Sequence, residues 1–446
     1  MRHYLITAAL LLTYAGCALG ALSAVEAQKL GTTLTEIGAE KSGNADGSIP
    51  AYTGGLTTFP ATYIQGSGVR PDPFADEKPL YSITAGNMDR YRDKLTEGSK
   101  ALLLKYPSYR MDLYRSHRTV AYPRYVLDKT LKNAVTAVTA DSGNVLRNAI
   151  GGTPFPIPKD GYEAIWNHLT SYRGEAYTCL ATSLNIDASG RTISSSQGEI
   201  LFDWPYSFRQ NPDLEILMKK AIYTKAPARL YGSSALVIDA LNPAEKARTV
   251  YQYIPGQRRV MLIPDIAFDL PDSGTSGAIT YDDVDIFNGS MERFDFKLIG
   301  KKEMIVPYNE YKLLYQTAPD EMVRQNHLNP DHVRWELHRV WVVEATLKPG
   351  KRHIYSKRIF YLDEDSWAAL ASDRYDLSGK LFRTIFATMA YSYDAQAVFL
   401  DSYCNYNLIN GGYNIVNSLG GGWLRYTAPR SDKEWSPDTL AGSGIR

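Results

Sequence analysis

Residues 336–393 read ELHRVWVVEATLKPGKRHIYSKRIFYLDEDSWAALASDRYDLSGKLFRTIFATMAYSY, and this stretch decides the fold. It predicts four strands in series. The first, 338–347, is rich in Trp, Val and Thr and turns at Lys348-Pro349-Gly350-Lys351. The second, 353–362, turns at Asp363-Glu364-Asp365, and the third, 366–375, turns at Asp376-Leu377-Ser378-Gly379. The fourth is 381–391. Turn signals about every ten residues are the spacing of an antiparallel meander. Connections this short suit antiparallel neighbours, because parallel strands need a long crossover. The expected frame is therefore mainly β with some helix, built on one broad antiparallel sheet.

Alternate residues of a strand share a face. In the first strand Trp341, Val343 and Ala345 share a side, with Glu344 on the other beside Val340 and Val342. In the fourth, Phe382, Thr384, Phe386, Thr388 and Ala390 form a charge-free side opposite Arg383. An unpaired buried charge is costly, so the charge-free sides are expected to point inward. The middle strands add only Trp367. Trp341, Val343, Trp367, Phe382 and Phe386 are thus the expected apolar ligand face. The competing possibility is that they fill solid core against a helix such as 161–170.

Outward from this stretch, the 446-residue chain has a formal charge of +1. That balance argues against nucleic acid, which asks for a clearly basic surface. The length allows one large or two medium domains. Tyrosine is abundant, 32 against 13 Phe, which fits β-rich structure first. Residues 1–23 have the anatomy of a secretory signal: Arg2 and His3, an uncharged apolar run over 5–19, then small residues. Cleavage after Gly20 and cleavage after Ser23 both fit. Lipid attachment at Cys17 is disfavoured by Tyr14, where a lipobox wants an aliphatic residue. Removal of Cys17 leaves Cys179 and Cys404, as a disulfide or as two buried thiols.

Residues 24–160 read as an irregular and helical segment that wraps the sheet region, 161–446, as part of one domain. Within it a helix is expected over 33–41, another from Thr84 to about residue 95, and a third from Thr96 to before Pro107. Pro123 opens a further turn or two, and 134–139 with 145–150 suggest a hairpin around Asp141-Ser142-Gly143-Asn144. Asp160, with Glu163 three residues on, caps a helix over 161–170. Strands are expected over 175–208, a helix over 212–223, and a hairpin over 248–263. Residues 405–423, with Gly411-Gly412 and Gly420-Gly421-Gly422, show no strong period and read as mobile.

Gly-x-Ser-x-Gly, His-Glu-x-x-His, a Walker lysine loop and Cys-x-x-Cys are all absent. His327, His332, Glu336 and His338 are the best metal candidates, but zinc needs convergent ligands and this segment enters a strand, so no metal site is expected. Asp282, Asp283 and Asp285 lack calcium-loop spacing and read as the acidic start of a helix. No carboxylate pair stands out for acid–base work. The chain is read as a non-enzyme without cofactor.

Several longer motifs carry a resemblance. They are Asn44-Ala45-Asp46-Gly47-Ser48-Ile49-Pro50-Ala51-Tyr52-Thr53-Gly54-Gly55, Pro154-Phe155-Pro156-Ile157-Pro158, Leu337-His338-Arg339-Val340-Trp341 and Phe360-Tyr361-Leu362-Asp363-Glu364-Asp365-Ser366-Trp367. With these the chain resembles the bacterial family known as domain of unknown function 1329, related to outer-membrane lipoprotein-sorting proteins of the LolA/LolB type. The resemblance implies a half-open antiparallel β-barrel with covering helices around an apolar cavity. It implies a periplasmic protein that carries a lipid or other hydrophobic molecule, with peripheral membrane contact left open. Members are often encoded near exporters of the resistance-nodulation-division type, which suggests such an exporter as a partner. The alternative is a non-catalytic envelope assembly factor that binds proteins through sheet edges.

Overall fold

The structure is a computed structural model and describes residues 21–264, 268–272, 275 and 277–442. The apolar run of the signal segment and Cys17 lie outside the described residues. Ser23 caps α1 (Ala24–Ala27), and the backbone of Leu22 donates to Ala134, so Leu22 and Ser23 are part of the fold. The N-terminal segment adds α2 (Glu97–Lys105), α3 (Arg124–Thr136), strands β1 (Tyr81–Ile83) and β2 (Met111–Leu113), and a small hairpin of β3 (Val138–Ala140) with β4 (Val145–Arg147). Helix α4 (Gly161–Leu169) follows.

Next come β5 (Ala176–Ile186), β6 (Thr192–Asp203), β7 (Ile216–Ala226), β8 (Ser234–Ala240), β9 (Thr249–Ile254) and β10 (Arg259–Ile263). The meander comprises β11 (Phe294–Pro307), β12 (Trp335–Leu347), β13 (Lys357–Asp363), β14 (Ala369–Tyr375) and β15 (Leu381–Ala387). A short hairpin of β16 (Ala390–Ser392) and β17 (Ala397–Phe399) precedes β18 (Tyr403–Asn407) and β19 (Tyr413–Tyr426). Fifteen strands form one sheet in the order β1-β2-β12-β13-β14-β15-β18-β19-β5-β6-β7-β8-β9-β10, with β11 also on β12. Only β2 meets its neighbour β12 in parallel. The sheet is large, mixed but mostly antiparallel, and unclosed.

Several expectations are corrected. Residues 212–223 form no helix; β7 lies between β6 and β8 and pairs with both. Short apolar runs fit either period, and two long partner strands decided this one. Residues 33–41 are turns and isolated bridges. Residues 88–94 form a 3₁₀ helix rather than an α-helix. The third meander strand starts at Ala369 instead of residue 366, because Trp367 sits in the preceding turn at φ +60°.

The largest correction concerns 405–423. These residues are β18 and most of β19, and β19 joins the meander to β5, holding the two halves of the sheet together. The glycine run marks close approach. A Cβ on Gly420 would lie 2.0 Å from the Thr317 carbonyl oxygen, and one on Gly422 1.9 Å from that of Leu180.

The capped helices form as read. Thr96 accepts from the Ser99 amide, and Asp160 from the Glu163 amide. The second half of the expected capping box goes elsewhere, since Glu163 accepts from Lys159.

Candidate functional site

The two halves of the sheet differ in how they are filled. In the meander both faces are covered. The register aligns Val343 with Phe360, Ser372 and Ile385, whereas Phe386 aligns with Ala371, Tyr361 and Val342. Trp341 and Val343 therefore lie on one face and Phe386 on the other, while Phe382 falls at a register shift in β15 between the Arg374–Arg383 and Tyr375–Leu381 pairs. On the first face Phe360 meets Phe287 at 5.5 Å. On the second, the Glu97 and Gly98 amides at the start of α2 donate to Asp373, each at 2.9 Å. Trp341 stacks on Trp367 at 5.9 Å, Phe386 meets Trp335 edge-on at 5.2 Å, and Phe382 packs near Tyr355.

The expectation that charged sides face outward is corrected here. Arg358, Arg374 and Arg383 stand side by side across β13, β14 and β15 on the Val343 face, and all three are buried. Asp282 pairs with Arg358, and Asp283 with Arg374 at 2.9 Å and Arg383 at 3.9 Å. Burial alone would raise both carboxyls. Arg358 outweighs it at Asp282, and Arg374 and Arg358 at Asp283, so both stay below the usual range. Asp282 and Asp283 do stand in the first turn of a short 3₁₀ helix, 281–283, where Asp283 accepts from the Thr280 amide, and all three acids of the triplet are in addition buried counter-ions. No sequence signal reveals this before the strand register is known.

The histidines take separate partners. His327 meets the Ser108 hydroxyl at 2.8 Å, His332 that of Thr317 at 3.0 Å, and His338 the Glu336 carboxylate at 2.9 Å. Among the described residues one group brings three ligand-type atoms within 4.8 Å of one another: His338, Asp363 and Asp365. Arg118 holds Asp365 through two nitrogens, and Tyr308 and Ser366 donate to Asp363 at 3.1 and 2.6 Å. Burial and the Asp365 charge push Asp363 up to about 7. The group is a networked set of buried charges. Cys179 and Cys404 are both free and buried.

The second half of the sheet encloses a cavity of about 490 Å³, within the ~300–1,000 Å³ typical of ligand pockets. Its wall begins with the β5–β6 hairpin. Cross-strand partners on the facing side run Tyr177–Phe202, Cys179–Ile200, Ala181–Gly198, Ser183–Ser196 and Asn185–Ser194. The wall therefore grades from apolar to hydroxyl and amide along the strands. Strand β7 adds Met218, Lys220, Ile222 and Thr224, and β8 adds Val237. Opposite lie Tyr281, Val284, Asp285 and Asn288, with Tyr403, Val416 and Asn417 from β18 and β19. None of the five residues expected on the ligand face lines this cavity. Phe386 lines a separate space of about 20 Å³.

One end of the cavity is charged. Asp285 is paired with Arg173, and Asp401 with Lys220 at 3.4 Å. The Asn417 amide donates to Asp401 at 2.9 Å. His168 of α4 lies 3.1 Å from the carbonyls of Asp285 and Phe287 through Nε2, while its Nδ1 accepts from the Ala369 amide. That pattern needs the proton on Nε2. Burial and Arg173 lower its pKa to about 4, so His168 is neutral. It anchors the 285–287 backbone over the cavity. Sequence reading missed this site because its residues come from five separate stretches.

The site is thus an unclosed, mostly antiparallel sheet with a part-apolar, part-charged cavity on one half of it. Residues 82–441 match the family described as "Protein of unknown function (DUF1329)", and the chain belongs to that family. It is 41% identical over 442 residues to the uncharacterized protein PA3922 of Pseudomonas aeruginosa, spanning 96% of this chain and 95% of that one. A DUF1329 family protein from Desulfovibrio piger is similar at 15% identity and a TM-score of 0.42, covering 62% of this chain and 95% of that one. The LolA superfamily protein NE2245 from Nitrosomonas europaea is similar at 10% identity and a TM-score of 0.36, covering 63% and 100%. Among the described residues no helix is long and apolar enough to cross a membrane.

Proposed function

We propose that this protein is a non-catalytic periplasmic carrier that shelters a lipid or acylated ligand in the cavity between β5–β8 and the 281–288 segment. The observation that carries this reading is the cavity itself. It is large, and its middle is apolar, lined by Ala181, Ile200, Ile222, Val237 and Val416. Burying a hydrocarbon chain there supplies about 0.8 kcal/mol per CH₂. An apolar middle band between polar ends suits an amphiphilic cargo that must be passed on. A signal-type N-terminus and the family's link to lipoprotein sorting support the periplasmic setting.

The test is native mass spectrometry of gently purified protein, followed by binding of an apolar fluorescent probe. Co-purifying lipid and probe binding are expected in the parent. Ile222→Trp, which fills the cavity, should fold with little change in melting temperature and lose both. An empty parent that takes up no probe would sink the carrier reading. One observation favours the alternative of an assembly factor: among the described residues β10 pairs only with β9, so its other edge is open. An empty parent that captures an extended peptide along β10 would support that alternative.

A further inference from the structure

The register of the sheet brings six of its turns to one end. One level runs Ile359–Asp373–Thr384–Tyr406–Tyr413–Ile186 across β13, β14, β15, β18, β19 and β5. The pairs Gln197–Ala226 and Ser234–Tyr253 continue it over β6 to β9. Beyond these levels the chain turns at 348–356, 376–380, 408–412, 187–191, 227–233 and 255–258. Neighbouring turns are tied to one another: the Asn326 amide donates to the carbonyl of Ala188 at 3.1 Å and to that of Gly411 at 2.9 Å.

These turns are unlike the rest of the surface in two ways. First, they are apolar at their tips. Leu377 is 70% exposed, Ile409 63% and Ile193, at the root of 187–191, 59%. Leu230, Tyr231 and Ile354 are exposed as well. Five of the six turns thus offer an apolar side chain to solvent, where a turn ordinarily carries polar residues. Second, they are basic. The six turns hold seven Lys and Arg against two Asp. Lys348 reaches Asp295, and Arg191 reaches Asp187. The other five, Lys351, Arg352, Lys380, Arg229 and Arg258, are exposed and join no ion pair among the described residues. The opposite end of the sheet shows neither property. Its 364–368 turn is buried throughout, and its connections 204–215 and 241–248 balance three basic residues with three acidic ones.

We propose that this end of the sheet docks on an anionic lipid bilayer, its apolar tips entering the interface while the flanking cations meet lipid phosphates. A protein partner buries a continuous apolar centre. Here single aliphatic side chains are separated by cations and polar backbone, and a fluid interface accepts them one by one. Each cation near an anionic surface strengthens binding by roughly fivefold. Docking stands on the turns alone and needs no cargo. Its consequence for the cavity is direct, because the exposed residues of the cavity wall, Ser195, Arg229 and Leu230, all lie at this end. The opening therefore faces the bilayer in the docked protein.

The experiment is flotation of the protein, as purified from its own cells, with vesicles of phosphatidylcholine alone or with phosphatidylglycerol as about a quarter of the lipid. The parent should bind the anionic vesicles at least tenfold more tightly, and high salt should remove that preference. Leu377→Ser with Ile409→Ser should weaken binding to anionic vesicles at least tenfold. Lys351→Glu with Arg352→Glu should remove the preference for phosphatidylglycerol. All four positions are exposed, so melting temperatures should stay near the parent's, and either pair decides the matter if the other does not fold. Leu214→Ser, exposed at the opposite end, should change nothing. A parent that binds neither vesicle overturns the proposal and leaves this end to an acidic protein. Binding that survives either pair, or that Leu214→Ser weakens equally, overturns it too. Uptake of an apolar probe without vesicles reports on the carrier reading separately, so failure of docking leaves that reading standing.

Discussion

At the scale of single residues, the interior of this protein is governed by paired charges. Arg358 is fully buried, and Asp282 is its counter-ion, with His353 also 3.2 Å from that carboxylate. Such a pair adds little net stability over a hydrophobic replacement, but breaking it leaves a charge without a partner. Arg358→Met should therefore cost about 3–5 kcal/mol, measured by urea unfolding. Adding Asp282→Asn should restore part of the loss. A single variant as stable as the parent would show that water reaches Asp282. The five aromatic and aliphatic residues expected at a ligand face obey a different rule. Val343 and Trp367 are fully buried, so acidic substitutions there meet solid packing. Alternation grouped Trp341 with Val343 as the register does, whereas a register shift at Phe382 interrupts the alternation that grouped it with Phe386. It could not say which face of one strand matches which face of another three strands away.

At the scale of elements, β19 is where local reading and tertiary structure part most widely. Its glycines look like a mobile tail, yet each sits differently. Gly420 and Gly422 are pressed against backbone carbonyls, whereas Gly421 has φ +73° and open space around it. Gly422→Ala should cost about 1–3 kcal/mol through overpacking. Gly421→Ala should cost roughly 1 kcal/mol through backbone strain alone. Thermal unfolding of the two variants checks the order, and a larger loss at Gly421 would contradict the close-approach account. By contrast α2 and α4 were legible from Thr96 and Asp160, because an N-cap is a local hydrogen bond made within three residues. The β9–β10 hairpin was legible for the same reason.

At the scale of the whole molecule, buried carboxyls set how stability responds to pH. Burial raises Glu163 and Asp363 to about 7, Asp373 to about 6 and Asp401 to about 8. A carboxyl raised in the fold contributes stability that is full below its unfolded value, near 4, and is lost as pH rises through the folded value. Asp282, Asp283, Asp285 and Glu336 are lowered, and their contribution is present above about pH 4 and lost below it. The melting temperature should therefore peak near about pH 5, fall steeply in stronger acid and decline gradually towards pH 8.5. Asp401→Asn should soften the upper decline. A melting temperature that does not change between pH 5 and 8.5 would contradict this assignment of protons.

The sequence by itself determined the antiparallel meander, its turns, the capped helices and the family. These depend on periodicity, turn chemistry and long contiguous motifs, all written within short windows. The tertiary structure alone decided that 216–226 is a strand, that 413–426 joins the two halves of the sheet, and that the cavity lies over β5–β8 rather than over the meander. It also decided that Arg358, Arg374 and Arg383 point inward. The reason is physical: a strand's two faces look alike until its neighbours, their register and the counter-ions brought from distant segments determine which side can be buried.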